Sequence, residues 1–269
     1  MIIFSSIGVI YNKKIIHRGH ILQKECLICG SDTQLLDVVD FNKSCEEQRG
    51  VFLGLSGFPV YYSICNQCSF TRCDTLNSWS EKEFLDFIYN DDYIKIDPDY
   101  VSSRPLSNAQ LIQNLFASSQ DQIRHLDYGG GNGVLSNHLR DQGWNSESYD
   151  PFPANSVRLE EMGRFNLITA FEVFEHVPDP NTLMHQLNRL LDEEGLIVFS
   201  TLVSDQHLSP NHRINWWYCS PRNGHVSLFS SRSLMALAGK NAYHFGSFNE
   251  SLHVMFKTLP DWAQKVIIA

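Results

Sequence analysis

Apolar positions change their period repeatedly along the second half of the chain. Residues 107–118 carry apolar side chains at helical spacing, and a short strand pattern at 123–128 follows them. Two further apolar runs, 165–171 and 196–200, are typical of buried strands, and residues 181–191 between them return to helical spacing. Strands that alternate with helices predict an α/β fold whose sheet is mostly parallel.

The two ends of the chain have the pattern of antiparallel strands. Residues 242–248 and 252–258 predict a final pair, which would complete a seven-stranded sheet with an antiparallel last strand. At the other end, the apolar stretch 1–10 is expected to pair with residues 14–21 across a turn. This stretch lacks the basic start and small-residue cleavage site of a secretory signal, which favours a cytoplasmic protein.

Composition and charge narrow the classes of protein. The 269 residues are 43% hydrophobic and 12% aromatic, enough for an ordered globular core. The formal net charge is −9 and the basic residues do not cluster, so a nucleic-acid partner is not expected. No apolar run approaches the ~20 residues of a membrane-spanning helix, so we expect no membrane span.

Four of the seven cysteines form two pairs at the spacing that metal sites use. The C-x2-C pairs are Cys26 with Cys29 and Cys65 with Cys68. Four thiolates suit a tetrahedral Zn2+ with no open position, so we expect a structural zinc in an N-terminal β-rich, zinc-ribbon-like module, residues 1–80. A redox pair or ordinary buried thiols are the alternatives, and Cys73 could replace one ligand.

A glycine-rich turn follows the strand pattern at 123–128. Its members are Asp127, Gly129, Gly130, Gly131 and Gly133, and a helical pattern starts directly after them. Such a turn brings backbone N–H groups close to a ligand at a helix N-terminus. The next strand closes on Asp150, where a carboxylate could accept hydrogen bonds from both ribose hydroxyls. The alternative is that Asp150 only caps the turn before Pro151.

The glycine turn, Asp150 and residues 165–180 together resemble a class I S-adenosylmethionine-dependent methyltransferase. The resemblance implies a Rossmann-like domain at 107–269, a connecting segment at 81–106, and S-adenosylmethionine as cofactor. The cofactor residues it implies are Asp127, Gly129, Gly131, Gly133, Asp150 and Phe171. The string that starts at Glu175 and His176 is similar to small-molecule members, including ubiquinone-pathway O-methyltransferases and sugar C-methyltransferases. The sugar enzymes also place a cysteine-rich zinc module ahead of this fold.

One departure from that family concerns the third strand. Only residues 153–164 separate the end of the ribose strand from the strand at 165–171. The usual helix and third strand are therefore expected to be truncated, which leaves the adenine contacts unassigned. Either the third strand is vestigial, or residues 158–162 form a short crossover.

Carboxylates and an imidazole follow the strand at 165–171, at the edge where parallel sheets bind ligands. Glu175 or His176 could act as a general base, with His225 from a later segment beside them. Glu172 could instead join these three around a divalent ion, a pattern similar to the metal-binding string of small-RNA 2′-O-methyltransferases. A third interpretation is that the carboxylates pair with basic neighbours and cap the next helix.

The long connection at 202–230 predicts a substrate lid. Trp216 or Trp217 could give an apolar wall and Arg213 an anion contact, while the alternative is a tryptophan pair that closes the core. Earlier in the chain, Tyr89 could cover the cofactor or simply pack.

The resemblance implies an enzyme that transfers a methyl group from S-adenosylmethionine to a small-molecule acceptor. The acceptor could be a sugar or a nucleotide-sugar, and the methyl group could be transferred to carbon or to oxygen. A non-catalytic adaptor that holds a nucleotide and docks a partner through its zinc module is one alternative. A metal-assisted RNA 2′-O-methyltransferase is the other, and the net charge of −9 disfavours it.

Overall fold

The computed structural model describes residues 24–152 and 158–268. The hairpin expected at residues 1–21 lies outside this part of the chain. The described strands are β1 (Thr33–Asp40), β2 (Pro59–Cys65), β3 (Thr71–Cys73), β4 (Arg124–Tyr128), β5 (Asn145–Tyr149), β6 (Phe165–Phe171), β7 (Leu191–Ser200), β8 (Ser227–Leu228), β9 (His244–Ser247) and β10 (Leu252–Phe256). The described α-helices are α1 (Glu81–Phe87), α2 (Ser103–Phe116), α3 (Val134–Asp141), α4 (Pro180–Leu190), α5 (Ser231–Lys240) and α6 (Gln264–Ile267).

The large sheet confirms the predicted α/β fold but not the predicted strand count. Its order is β5, β4, β6, β7, β10, β9. Neighbours among β4 to β7 pair in parallel, while β10 runs antiparallel to both β7 and β9. The described residues therefore supply six strands to this sheet rather than seven. The connection from β5 to β6 is too short for a helix and a further strand, and its described part forms one 3-10 turn, Leu159–Glu161.

Helices cover both faces of this sheet because their apolar positions recur every three or four residues. On one face, α4 buries Leu183 and Leu187 in a cluster that contains Ile168 of β6. On the other face, Ile112 of α2 and Leu139 of α3 are fully buried in a second cluster. Burial of each such leucine or isoleucine side chain stabilises the fold by about 2 kcal/mol, and this packing holds the helices against the sheet.

The small sheet draws its four strands from distant parts of the chain. Its order is β1, β2, β3, β8, and every pairing is antiparallel. Because β8 lies inside the connection at 202–230, that connection completes the N-terminal sheet. The lid prediction is wrong for this segment, since Trp216 and Tyr218 are buried in the core beneath it, as the alternative interpretation expects. The domain limits 1–80, 81–106 and 107–269 stay a prediction.

The length and hydrophobicity of the helices decide whether one of them could span a membrane. Among the residues that the structure describes, none of the helices is both long and apolar enough to cross a bilayer.

Candidate functional site

The glycine turn lies at the carboxyl end of β4, beside the end of β5. The N–H groups of Gly129 and Gly130 both donate to the carbonyl oxygen of Tyr149, at 2.7 and 3.1 Å. Gly129 has a φ of 76°, and a Cβ there would meet Val173 Cγ2 at 2.5 Å. Only glycine fits this position without moving Val173, because the left-handed backbone and the close side chain both exclude a methyl group.

The turn has an open face at Gly131, on which a ligand could lie. Gly131 has a φ of 54°, and a Cβ built on it would meet nothing within 4 Å. Beneath the turn, Ser148 has a buried hydroxyl that makes no hydrogen bond within the described residues. A Cβ on Gly130 would approach that hydroxyl to 2.3 Å, so the glycines let the backbone lie close to β5. This cradle fits the adenosyl-methionine ligand that the sequence predicts.

Two carboxyl groups stabilise the turn from different sides. Asp127 is buried, accepts from Thr169 Oγ1 at 3.0 Å, and burial raises its pKa to about 7. Asp150 accepts from the N–H of Gly131 and the N–H of Phe152, both at 2.9 Å, and burial raises its pKa. The capping alternative for Asp150 is thus present in the structure. Each carboxylate oxygen can still accept a second hydrogen bond, so capping does not prevent ribose binding.

Phe171 ends β6 but belongs to the buried cluster on the α2 and α3 face of the sheet. Its assignment to the cofactor stays a prediction.

The four cysteines of the two C-x2-C pairs converge at the end of β2. Their Sγ atoms are separated by 3.6 Å for Cys26 and Cys68, 3.4 Å for Cys29 and Cys65, and 3.6 Å for Cys29 and Cys68. Tetrahedral zinc at about 2.3 Å from each sulfur places the sulfurs about 3.8 Å apart, so the cluster fits that ion closely. The hydrogen bond between the two thiols lowers the pKa of Cys26 and raises the pKa of Cys68, so this pair keeps one proton between its two sulfurs. Cys73 does not join this group of ligands in the described residues.

A second convergence lies at the carboxyl end of β6. One ligand-type atom from each of Glu175, His176 and His225 lies within 4.8 Å of the others, and the two imidazole rings meet nearly at right angles. We call these three residues the Glu–His cluster. Glu175 is completely buried and His225 is 4% exposed, whereas His176 is partly exposed. Sequence reasoning named all three residues, and the fold brings them together.

Burial shifts the protonation of the whole Glu–His cluster toward neutral forms. It raises the pKa of Glu175 to about 8, and the charge of Glu172 adds to the rise. It lowers the pKa of His176 to about 4, with a smaller effect from Arg104. It also lowers the pKa of His225, and His176 contributes in the same direction. A protonated Glu175 cannot accept a proton at neutral pH, so His176 is the better candidate for a base.

Glu172 does not join the cluster, although the sequence analysis included it in a four-residue ion site. Its backbone has a φ of 54°, and its N–H donates to Ser200 Oγ at 2.8 Å. The same hydroxyl donates to Glu172 Oε1 at 2.8 Å. This local ring of hydrogen bonds directs the carboxylate toward Ser200 at the end of β7.

Three tyrosines that carry no motif hold the Glu–His cluster in place. Tyr218 donates its hydroxyl to Glu175 Oε1, and Tyr89 Oη lies 2.9 Å from His176 Nδ1. Tyr62 of β2 donates to the carbonyl oxygen of His225 at 2.8 Å. Each tyrosine lies more than forty residues from its partner, so no local pattern in the sequence could have paired them.

The family of this chain is decided by a match that spans the large sheet. Residues 100–242, just over half of the chain, match the family model described as a methyltransferase domain. The chain belongs to the class I methyltransferase family. The predicted family is therefore confirmed.

Curated relatives of this methyltransferase match it over limited stretches. The ubiquinone biosynthesis O-methyltransferase of Bordetella avium is 29% identical over 116 residues, which are 35% of this chain and 48% of the relative. The enzyme of the same name from Colwellia psychrerythraea is 32% identical over 100 residues, 29% of this chain and 41% of the relative. The chain thus spans less than half the length of these relatives.

Solved structures resemble this methyltransferase only in part. A 1,6-didemethyltoxoflavin-N1-methyltransferase from Burkholderia thailandensis, with S-adenosylhomocysteine bound, gives a TM-score of 0.44 at 13% identity, over 73% of this chain and 93% of that chain. An S-adenosylmethionine-dependent methyltransferase from Bacteroides fragilis, also with S-adenosylhomocysteine, gives 0.38 at 16% identity, over 54% of this chain and 77% of that chain. Overlaps of this extent do not indicate an acceptor.

Proposed function

We propose that this protein transfers a methyl group from S-adenosylmethionine to a small-molecule acceptor. The observation that carries the proposal is the glycine turn, whose open face over Gly131 adjoins the carboxylate of Asp150. When bound, the cofactor supplies an electrophilic methyl group on a positively charged sulfur. The curated relatives, whose names specify ubiquinone biosynthesis, favour a small organic acceptor and O-methylation. Sugar or nucleotide-sugar acceptors and C-methylation stay predictions.

The residues of the turn would hold the cofactor without moving. A Cβ on Gly131 would meet nothing within 4 Å, so this face of the turn is open, and Asp150 retains lone pairs for the ribose hydroxyls. Asp127, buried below the turn, keeps β4 and its loop in position through Thr169. Methyl transfer needs alignment of two reactants more than proton chemistry, and a rigid turn at a sheet edge provides it.

The acceptor would meet the Glu–His cluster. His176 is its partly exposed member and ends the 3-10 turn Phe174–His176 that follows β6, so we assign it to the acceptor side. Glu175 and His225 are buried, so they would position His176 and would not contact the acceptor themselves.

We also propose that the four cysteines hold one structural zinc ion. The sulfur spacing and the fully thiolate donor set support this role, because such a site keeps no open coordination position for chemistry. Ser230 Oγ donates to the carbonyl oxygen of Cys68 at 2.6 Å, so the ion would also stabilise the segment that follows β8.

Transfer can be tested with methyl-labelled S-adenosylmethionine and a panel of phenols and sugar nucleotides. We expect label in at least one acceptor class and loss of that transfer in Asp150→Ala. Asp150→Asn, which keeps one acceptor oxygen for the N–H of Gly131, should retain more activity than Asp150→Ala. Tight cofactor binding without transfer to any acceptor would favour the adaptor alternative instead.

A further inference from the structure

We infer that His125 is a positioning residue for the cofactor, which acts through a buried hydrogen-bond relay that holds the carboxylate of Asp127 beneath the glycine turn. The relay consists of Ser146, His125 and Thr169, and it ends on Asp127. Its effect is to favour binding of the positively charged S-adenosylmethionine over that of the uncharged product, S-adenosylhomocysteine. The relay stands on the contacts of these side chains, while its effect on the cofactor rests on the proposed function.

The relay forms because side chains two residues apart in a strand share one face of the sheet. His125 and Asp127 are two apart in β4, with Ser146 of β5 opposite His125 and Thr169 of β6 opposite Asp127. His125 Nδ1 lies 2.7 Å from Ser146 Oγ, and His125 Nε2 lies 2.9 Å from Thr169 Oγ1. None of these four residues is more than 4% exposed. Bulk water therefore cannot take the place of a missing partner.

The direction of the relay follows from its chemistry. An ionised Asp127 can only accept, so the hydroxyl proton of Thr169 goes to Asp127 Oδ1, 3.0 Å away. Thr169 Oγ1 must then accept from His125, which places the ring proton on Nε2. Burial lowers the pKa of His125 to about 3, so the ring is neutral and Nδ1 accepts from the hydroxyl of Ser146. Every donor in the relay thus points toward Asp127.

His125 decides where Thr169 sends its proton. The carbonyl oxygen of Leu126, 3.5 Å from Thr169 Oγ1, is a second acceptor within reach. With its proton on Nε2, His125 occupies one lone pair of Thr169 and leaves Asp127 as the closer acceptor. Hydrogen bonds in a buried series also polarise one another, so each one strengthens the next. Loss of the imidazole would therefore weaken the bond to Asp127 as well as remove two others.

Asp127 lacks a positively charged partner in the protein. Within the described residues it belongs to no ion pair. Burial, with a smaller effect from the charge of Asp150, raises its pKa to about 7. The glycine turn packs directly against it, since a Cβ on Gly130 would approach Asp127 Oδ2 to 2.4 Å. A cofactor with a sulfonium charge at this turn would stabilise the carboxylate, whereas the product, which lacks that charge, would not.

Calorimetric titration with the cofactor and with its product tests this effect. Thr169→Val keeps the shape of the side chain but removes the hydroxyl, which disfavours the carboxylate of Asp127. It should weaken S-adenosylmethionine binding about tenfold and S-adenosylhomocysteine binding at most about threefold. His125→Leu should show the same preferential loss, and Thr169→Ser, which restores the hydroxyl, should bind both compounds as the wild type does. In Asp127→Asn, which has no charge to hold, adding Thr169→Val should not change the ratio of the two affinities further.

Nitrogen-15 NMR tests the direction of the relay without any cofactor. At about pH 8, above the pKa of about 7 of Asp127, the ring of His125 should be neutral and carry its proton on Nε2. Ser146→Ala removes the donor to Nδ1 and should shift the Nδ1 resonance. Ser148→Ala is the matched control on the same face of β5, because Ser148 Oγ makes no hydrogen bond within the described residues. It should leave both ring resonances of His125 unchanged.

The results separate this inference from the proposed function. A His125 proton on Nδ1 would overturn the relay, as would a folded Thr169→Val whose affinities for the two compounds are unchanged or equally reduced. Circular dichroism verifies the fold of each variant, and Thr169→Val decides even where His125→Leu does not fold. A wild-type protein that binds neither compound would overturn both the proposed function and the effect of the relay on the cofactor. The NMR result would still decide the direction of the relay in that case.

Discussion

The glycine turn and the Glu–His cluster lie at the same edge of the large sheet but are built in opposite ways. The turn comes from one short segment, 127–133, with Asp150 from the neighbouring strand. The cluster combines residues 175–176 and 225 and depends on tyrosines from three other places in the chain. One site is made of backbone held in an unusual conformation, and the other is made of side chains held by their neighbours.

This difference decides how each site depends on the rest of the fold. The turn needs β4, β5, the neighbouring β6 with Val173 after it, and the first turn of α3. The cluster also needs the small sheet, since Tyr62 of β2 holds the carbonyl oxygen of His225 and Val226 donates to the carbonyl oxygen of Glu175 at 2.8 Å. Damage to the small sheet should therefore disturb the cluster and spare the turn.

The largest effect is expected from Cys65→Ser, which removes one sulfur from the end of β2. Because a structural zinc contributes about 10 kcal/mol, loss of a ligand should lower the free energy of unfolding by several kcal/mol. Zinc analysis and urea denaturation measure the two consequences. Cys45→Ser is the control, since Cys45 bonds Ser220 and lies outside the cysteine cluster. Equal zinc content in both variants would contradict the thiolate site.

A matched pair of glycine variants sharpens the contrast within the turn. Gly129→Ala places a methyl group 2.5 Å from Val173 Cγ2 at a positive φ, and should cost about 3 kcal/mol of stability. Gly131→Ala meets no atom and should cost only about 1 kcal/mol. Thermal unfolding compares the two. Equal losses would mean that the close approach of Val173 is not what requires glycine.

The third prediction concerns pH and the buried Asp127. Its pKa rises from 3.8 to about 7 on folding, so the ionised form is disfavoured in the folded state. The folded protein binds this proton more tightly, hence stability is fully present below pH 4 and falls as pH rises toward 7. Asp127→Asn should remove this fall, and its advantage over the wild type should be about 2 kcal/mol larger at pH 8 than at pH 5. Denaturation at both pH values tests the sign, and an advantage that is larger at pH 5 would contradict it.

The smallest effect is expected from Tyr218→Phe, which removes the hydroxyl that Glu175 accepts. The cost should be about 1 to 2 kcal/mol, because one buried carboxyl oxygen loses its donor. Binding of S-adenosylmethionine should not change, since the turn shares no hydrogen bond with Tyr218 in the described residues. A variant as stable as the wild type would show that the hydrogen bond adds nothing to the cluster.

The elements that the sequence predicted correctly are those defined by residues close together in the chain. The strand at 165–171 and the glycine turn appear in the structure as predicted because adjacent residues define them. The helix predicted at 181–191 ends at Leu190, and β7 begins directly at Leu191, five residues before the strand predicted at 196–200. Gly195 lies inside the strand because Leu191 already pairs with Phe165.

Non-local pairing accounts for what the sequence could not reveal. β8 has two residues, too few to leave a pattern, yet its pairing with Thr71 and Arg72 brings residues 225–230 to the small sheet. The tyrosine partners of the Glu–His cluster are distant in sequence and carry no motif. Their roles follow only from the packed structure.

Calorimetric titration of S-adenosylmethionine tests the central claim most directly. We predict one saturable site per chain in the wild type and binding at least tenfold weaker in Gly131→Ala, whose added methyl group enters the open space above the turn. Thermal unfolding of that variant verifies that it remains folded. A wild-type protein without saturable binding, or a folded Gly131→Ala that binds as tightly as the wild type, would contradict the claim that this turn holds the cofactor.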